Sequence, residues 1–156
     1  MTKFKNIIII LSLFLVSCGF KPINQKNNNL IHFQKINIIG EQRIAYLIKN
    51  NILLISNSSS SNKYDVEIKI DKQKSPKIKD TTGKVTRYNL NFSVNLKLKN
   101  NAEDINTERN FIRDVAYEVA ATHSDTIKNE NNAAKSAIQQ ISDDMINFIA
   151  LTMRNK

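Results

Sequence analysis

Residues 87 to 98 read RYNLNFSVNLKL, in which every second side chain is apolar. Successive side chains of a β-strand point to opposite faces of the sheet, so this alternation predicts a strand with one buried face and one wet face. A sheet built from such strands must cover its apolar face with helices or with a second sheet. The rest of the chain shows which of the two it uses.

Other stretches supply the remaining strands of this sheet. Residues 64 to 71 alternate apolar with charged side chains, and residues 105 to 119 carry a blurred form of the same pattern over a length that suggests a bend or an extension. Residues 31 to 39 have apolar side chains on both alternate sets. This predicts a strand that is buried on both faces or carries a bulge, and Gly40 ends it.

Two stretches have the period of a helix instead. Apolar residues recur every three or four positions across residues 41 to 55, and again from Ala134 to Thr152, where Ser124 or Asp125 can cap the helix. The resulting order, β-α-β-β-β-α, predicts an α+β fold. Two helices should pack on one face of a roughly four-stranded, mostly antiparallel sheet.

The chain begins with a short apolar segment that ends at its only cysteine. Lys3 and Lys5 precede the apolar residues 7 to 16, and Ser17 leads into Cys18. This order predicts a lipoprotein signal peptide over residues 1–17, a lipidated tether over residues 18–30 and a single domain over residues 31–156. A buried helix or strand and an uncleaved anchor are the alternatives, but a membrane span needs about 20 apolar residues.

The stretch from Leu15 to Cys18 resembles the lipobox of bacterial lipoproteins. The resemblance implies that the thiol of Cys18 carries a diacylglyceryl group and that its amine carries a further acyl chain, palmitate. Two or more chains hold a protein stably on a bilayer, whereas one holds it only marginally. By the same resemblance, Gly19 in place of Asp favours the outer membrane over the inner membrane.

The charge of the chain indicates which partners to expect. The formal charge is +9, and it falls to +7 when Lys3 and Lys5 leave with the signal. A basic protein of the cytosol would suggest nucleic acid, but export excludes it and leaves phospholipid head groups, lipid A phosphates and acidic proteins. The alternative is that the lysine and asparagine content reflects the source genome. A single cysteine also excludes an intramolecular disulfide.

The polar stretch from Lys72 to Lys84 predicts a loop between two strands that gathers cations. Such a loop can present several charges to phosphate groups in one place. A solvated, charged hairpin loop without a ligand is the alternative. The candidate binding residues are Arg87, Lys72, Lys74, Lys77, Lys79 and Lys84.

No group of residues predicts catalysis. His32 and His123 belong to no zinc-binding motif, and the serines at 58 to 61 lack the glycines of a nucleophile elbow. Asp143 and Asp144 are neighbours on a predicted helix and point about 100° apart. We therefore expect no enzyme, no metal site and no cofactor.

Over nearly its whole length the chain resembles the LptE family of lipopolysaccharide-assembly lipoproteins. The resemblance lies in CGFKPI at 18 to 23, IAYLIKNNIL at 44 to 53, YDVEI at 64 to 68, TRYNL at 86 to 90 and the long last helix with its alanines. It implies an outer-membrane lipoprotein that plugs an LptD-type β-barrel, assists its assembly and helps lipopolysaccharide reach the outer leaflet. Basic residues contact lipopolysaccharide in that family, and Arg87 matches a recurrent position. The five lysines are added on charge alone.

A free-standing, periplasm-facing, lipid-binding lipoprotein is the alternative function. It would require a closed apolar cavity between sheet and helices, whereas a barrel plug should have a filled core. Both functions place a lipid-anchored domain in the periplasm or in a barrel lumen, away from nucleic acid.

Overall fold

The computed structural model of the chain describes residues 31–100, 102 and 104–154. In chain order the elements are β1 (His32–Ile39), α1 (Gln42–Leu53), β2 (Lys63–Lys79), β3 (Val85–Asn100), β4 (Ile105–Glu118) and α2 (His123–Arg154). The predicted α+β class and the predicted order of elements are therefore confirmed. Cys18, the signal peptide and the tether lie outside the described residues.

The four strands form one mixed sheet in the order β1-β2-β3-β4. Strand β1 runs parallel to β2, while the β2-β3 and β3-β4 pairs are antiparallel. A parallel pair needs a crossover connection, and α1 lies in that connection. A register shift between Phe33 and Lys35 is the bulge that the apolar pattern of β1 indicated.

One face of the sheet carries the core, and the helices cover that face. The apolar side chains of β3, which alternate in the sequence, are fully buried from Leu90 to Leu98. Apolar side chains of β2 and β4 join them, and each helix turns its stripe toward the same layer. The helical part of the core consists of Ile44, Ile48, Ile52, Ala137, Ile138, Ile141, Met145, Ile146 and Ile149.

The opposite face of the sheet is polar and is held together by side-chain hydrogen bonds. The amides of Asn89 and Asn91 donate to Asp114 Oδ1 at 2.9 and 3.1 Å, and Asn95 donates to Glu108 Oε1 at 3.0 Å. Hydrogen bonds from Asn89 and Asn91 lower the pKa of the Asp114 carboxyl. These contacts join β3 to β4 on the wet face that the alternation predicted.

The long elements give the domain two distinct ends. Strand β2 has 17 residues and spans about 55 Å, while α2 has 32 residues and spans about 48 Å. At one end Ile31 meets the segment that follows α1, because the Asn57 N–H donates to the Ile31 carbonyl at 2.8 Å. We call this the anchor end. The turn between β2 and β3 lies at the other end, which we call the hairpin tip.

Gly40 ends β1 at a point where the chain leaves the sheet. Its φ is +138°, and a Cβ atom there would lie 2.6 Å from the Ile70 carbonyl oxygen. Both the backbone conformation and the space therefore require glycine. Beyond this point the β1-β2 pairing stops, and its last pair is Ile39 with Lys69.

Thr122 caps helix α2. Its hydroxyl accepts a hydrogen bond from the Asp125 N–H at 3.1 Å and donates to the Asp125 carboxylate at 2.7 Å. Ser124 and Asp125, which the sequence suggested as caps, lie inside the first turn because the helix begins earlier, at His123. In the described part of the chain, neither helix has the length and the apolar character needed to cross a bilayer.

Candidate functional site

The stretch from Lys72 to Lys84 is not the loop that the sequence predicted. Strand β2 continues to Lys79, which pairs with Val85 of β3, and only residues 80 to 84 form the turn. The prediction was wrong because the apolar alternation stops at Ile70, although the hydrogen-bonded ladder continues. Beyond Lys69 no described strand covers the outer edge of β2, and an open edge tolerates such polar side chains.

Asp80 organises the turn at the hairpin tip. Its Oδ1 accepts hydrogen bonds from the Thr82 N–H at 2.9 Å, the Thr82 hydroxyl at 2.6 Å and the Lys84 N–H at 3.0 Å. The Thr82 hydroxyl is the main cause that lowers the pKa of the Asp80 carboxyl. Gly83 follows with a φ of +85°. The sequence Asp-Thr-Thr-Gly is a turn signal, and it could have predicted the hairpin.

Lys72 and Lys74 lie on the helix-covered face and away from the tip. In the ladder they pair with Phe92 and Leu90, and directly paired residues share a face of the sheet. Lys74 Nζ lies 2.8 Å from Glu130 Oε2, and Lys72 Nζ lies 3.7 Å from Glu130 Oε1. Lys72 Nζ also lies 3.5 Å from Glu41 Oε2. Because both lysines are ion-paired within the domain, they are poor candidates for binding an external phosphate.

Two tyrosines complete this group, which we call the Glu130 cluster. The Tyr117 hydroxyl donates to Glu130 Oε2 at 2.7 Å, and the rings of Tyr88 and Tyr117 stack with centroids 5.8 Å apart. The Lys74 ammonium lies 4.5 Å from the centre of the Tyr88 ring. Nothing in the local sequence pointed to Glu130, since Tyr117 is 13 residues and Lys74 is 56 residues away along the chain.

Glu130 is held in its charged form by this environment. Burial raises the pKa of its carboxyl, but the hydrogen bonds from Lys74 and Tyr117 outweigh burial and lower the pKa overall. The same carboxylate raises the pKa of the Lys74 ammonium through its hydrogen bond. The cluster therefore ties the first half of α2 to β2 and β4 by charge.

Replacing Glu130 with glutamine should lower the free energy of unfolding by about 1–2 kcal/mol at neutral pH, because Lys74 loses its charged partner and Lys72 keeps only Glu41. Urea unfolding followed by circular dichroism measures the change. Glu108→Gln is the matched control, because Glu108 has hydrogen-bonded and ionic partners on the exposed face. A loss at Glu130 no larger than the loss at Glu108 would contradict the structural role of the cluster.

The same pair of proteins gives a pH dependence with a definite sign. The pKa of Glu130 is lower in the folded than in the unfolded chain, so its contribution is complete above the unfolded pKa of about 4.3 and is lost as the pH falls through the folded pKa. The stability difference between wild type and Glu130→Gln should therefore be largest at neutral pH and shrink in acid. A difference that stayed constant down to acid pH would contradict this account.

Arg87 pairs with a carboxylate at the boundary between the Glu130 cluster and the tip. It forms an ion pair with Glu118, its partner in the β3-β4 ladder. The side chains are 39% and 69% exposed, and ion pairs at such positions contribute roughly 0–1 kcal/mol. An external anion can therefore replace Glu118 at small cost.

Lys77, Lys79 and Lys84 form the group that we call the cationic tip. Their side chains are exposed, and no described carboxylate oxygen lies within 4.0 Å of any of their ammonium nitrogens. Ile78, which is 46% exposed, lies between two of them. The structure thus brings together three of the six predicted cations, with Arg87 close by in the ladder.

Part of this charge also has a structural role. Since β1 pairs no further than Lys69, no strand in the described residues covers the outer edge of β2 from Ile70 to Lys79. Lysines and prolines on an open edge prevent it from pairing with other chains, and Pro76 lies in this segment. Edge protection accounts for the lysines of β2. It does not account for Lys84, which lies in the turn.

The grooves between the elements are open and polar at their rims. A groove of about 390 Å³ between α1 and α2 is lined by Ile44 and Ile138 but also by Glu41, Lys72 and Lys135. Across the described residues, no three His, Cys, Asp or Glu side chains are placed to hold a metal ion together. The cationic tip is therefore the candidate site that we carry forward.

Comparison with known proteins supports the fold. No protein-family profile matches the chain, and no curated protein sequence matches it. Rare lipoprotein B from Shewanella oneidensis is similar with a TM-score of 0.60 and 14% identity, over 78% of this chain and 97% of that chain. A candidate lipoprotein from Caulobacter crescentus has a TM-score of 0.58 and 16% identity, over 77% of this chain and 90% of that chain. An uncharacterized lipoprotein B from Nitrosomonas europaea has a TM-score of 0.51 and 17% identity, over 85% of this chain and 93% of that chain. The chain therefore has a fold that solved lipoproteins share.

Proposed function

We propose that this chain is an outer-membrane lipoprotein, anchored through Cys18, whose domain fills the lumen of an LptD-type β-barrel. In this role it assists assembly of the barrel and helps lipopolysaccharide reach the outer leaflet. It has no catalytic part and works by filling space and presenting charge. The sequence resemblance over residues 18 to 23, 44 to 53, 64 to 68 and 86 to 90 supports the assignment, and so does a fold shared with lipoproteins.

The observation that carries this proposal is the distance between the two ends of the domain. Strand β2 runs from the anchor end to the cationic tip, over about 55 Å. A bilayer with its head groups is about 40–45 Å thick. A domain held at the inner leaflet by a lipid on Cys18 is thus long enough to place its lysines near the outer leaflet.

At that position the tip lysines would meet the phosphates of lipid A. Those phosphates are bridged by divalent cations in the membrane, and exposed ammonium groups can compete for them. Lys77, Lys79 and Lys84 have no ion pair among the described residues that would have to break first. The tip would weaken the cation bridges between one lipopolysaccharide molecule and its neighbours while that molecule passes the barrel.

The filled core favours a plug over a lipid carrier. Phe92 and Leu96 from the sheet and Ile141 from α2 have no exposed surface. These side chains occupy the space between sheet and helices in which a carrier would hold an acyl chain. A rigid and filled wedge is the shape that a barrel lumen requires.

A pull-down tests the proposal directly. The tagged, lipidated protein is isolated from detergent-solubilised outer membrane, and the bound material is identified by mass spectrometry. We expect a large β-barrel protein in nearly equal amount, because a plug is buried inside its partner. Recovery of the protein alone, or with lipid only, would contradict the plug and favour the free-standing lipid-binding lipoprotein.

A further inference from the structure

The outer face of helix α1 is more apolar than a solvent-facing helix should be. Tyr46 is 66% exposed, Leu53 is 40% exposed and Leu54, which follows the helix, is 73% exposed. Tyr46 and Leu53 are seven positions apart and lie on one side of the helix, and Leu54 directly follows its last residue. The opposite side carries the buried stripe that begins with Ile44. We call Tyr46, Leu53 and Leu54 the outer α1 stripe.

The stripe ends beside the point where the described chain begins. The Asn57 N–H donates to the Ile31 carbonyl at 2.8 Å, and Leu54 precedes Asn57 by one turn. Residues 19 to 30 connect this point to Cys18 and can span at most about 45 Å. Because the hairpin tip lies about 55 Å away from here, the anchored cysteine can reach the C-terminal end of α1 but not the hairpin tip.

The side chains of this face suit the boundary of a bilayer. Leucines can enter the acyl region, while a tyrosine places its ring among the head groups and its hydroxyl in water. Lys49 lies between them on an exposed part of the helix and can reach lipid phosphates with its long stem. Interfacial membrane helices use apolar side chains to enter the acyl boundary and basic side chains to reach anionic head groups.

We propose that the outer α1 stripe inserts into the head-group region of the bilayer that holds the lipid anchor. The inference rests on the proposed attachment through Cys18, and it adds a second, protein-borne contact with the same membrane. With two contacts the domain would take a fixed orientation. Its long axis would then run across the bilayer, with the hairpin tip toward the outer leaflet.

Tryptophan fluorescence tests this contact with little background, because the chain contains no tryptophan. The full-length lipidated protein is prepared as Leu54→Trp and reconstituted into vesicles that contain lipids with brominated acyl chains. The vesicles consist of phosphatidylethanolamine and phosphatidylcholine, which have no net charge that would attract the cationic tip beside Ile78. Ile78→Trp is the matched control, since Ile78 is comparably apolar, is 46% exposed and lies at the opposite end. Bromolipid should quench Leu54→Trp about threefold more strongly than Ile78→Trp.

A second set of variants removes the objection that a new tryptophan creates the contact. Tyr46→Trp reports on the helix with its leucines unchanged, and the same probe is measured with Leu53→Asn and Leu54→Asn added. We expect the two asparagines to abolish quenching at position 46 while the circular dichroism spectrum stays the same. Quenching that survives the asparagines would overturn the role of the leucines.

The outcomes separate this inference from the proposed function. Protein that floats with the vesicles and shows equal, weak quenching at positions 54 and 78 is anchored but not docked, which overturns the inference alone. Protein that fails to float has no working anchor, and then the attachment and the docking both fail. Leu54→Trp emission that shifts only when the purified barrel is added would assign the stripe to a protein partner and overturn the membrane contact.

Discussion

Replacing Phe92 with alanine should lower the free energy of unfolding by about 4 kcal/mol, because the side chain is lost from the centre of the core. Phe92 has no exposed surface and lies in the middle of β3. Its neighbours in the ladder are Lys72 of β2 and Arg113 of β4, whose charged ends pair with carboxylates of α2. A cavity here would therefore weaken both the apolar layer and the ion pairs above it.

A loss of this size is a large part of the 5–15 kcal/mol that stabilises a typical domain. The measurement is urea unfolding of the full chain, followed by circular dichroism. Asn91→Ala is the control, because Asn91 is the adjacent residue on the polar face and donates one hydrogen bond to Asp114. We expect about 1 kcal/mol for the control. Equal losses at the two positions would show that the helices do not pack on the face that carries Phe92.

Reversing the charge of the cationic tip should weaken lipopolysaccharide binding roughly 100-fold, because each basic residue near an anionic membrane surface contributes about 1 kcal/mol. The variant carries Lys77→Glu, Lys79→Glu and Lys84→Glu. Its fold should be unaffected, since all three side chains are exposed. Competition against fluorescently labelled lipopolysaccharide in detergent gives the change in affinity.

The control moves the same charge change to the anchor end. Lys35, Lys63 and Lys99 are also exposed, and Lys35→Glu, Lys63→Glu, Lys99→Glu changes the net charge equally. The control should keep most of its affinity, and wild-type binding should fall as salt is raised toward about 1 M. If both triple variants lose the same affinity, then net charge and not the tip governs binding.

The general architecture could be predicted because it depends on local periodicity. The alternation of β3 continues unbroken for twelve residues in the ladder, and the two helices carry continuous apolar stripes. Element type therefore follows from spacing alone, and the bulge of β1 follows from apolar side chains on both of its faces. The extent of β2 did not follow, because Lys72 and Lys74 occupy inward-facing positions where the pattern demands apolar residues.

What the sequence could not reveal is which charges the fold neutralises. Lys72 and Lys74 find Glu130 only when α2 crosses the sheet, and Arg87 finds Glu118 only through the β3-β4 register. Six cations that look alike in the chain thus divide into ion-paired residues and tip lysines that make no ion pair in the described part of the chain. A similar limit applies to the apolar residues of α1. Helical spacing predicted the buried stripe, but only the burial of each side chain in the structure distinguishes the exposed leucines from the buried residues.

The sheet order also has a consequence for how the chain folds. Strands β2, β3 and β4 follow one another as adjacent antiparallel partners, so each finds its neighbour through a short turn and pays little loop-closure entropy. Strand β1 comes first in the described chain, yet its partner in the described sheet is separated from it by all of α1. The amino-terminal strand would then dock late, on a hairpin already formed. During that interval the edge of β2 is open along its whole length, and the segment that would be next to the lipid is the last to become ordered.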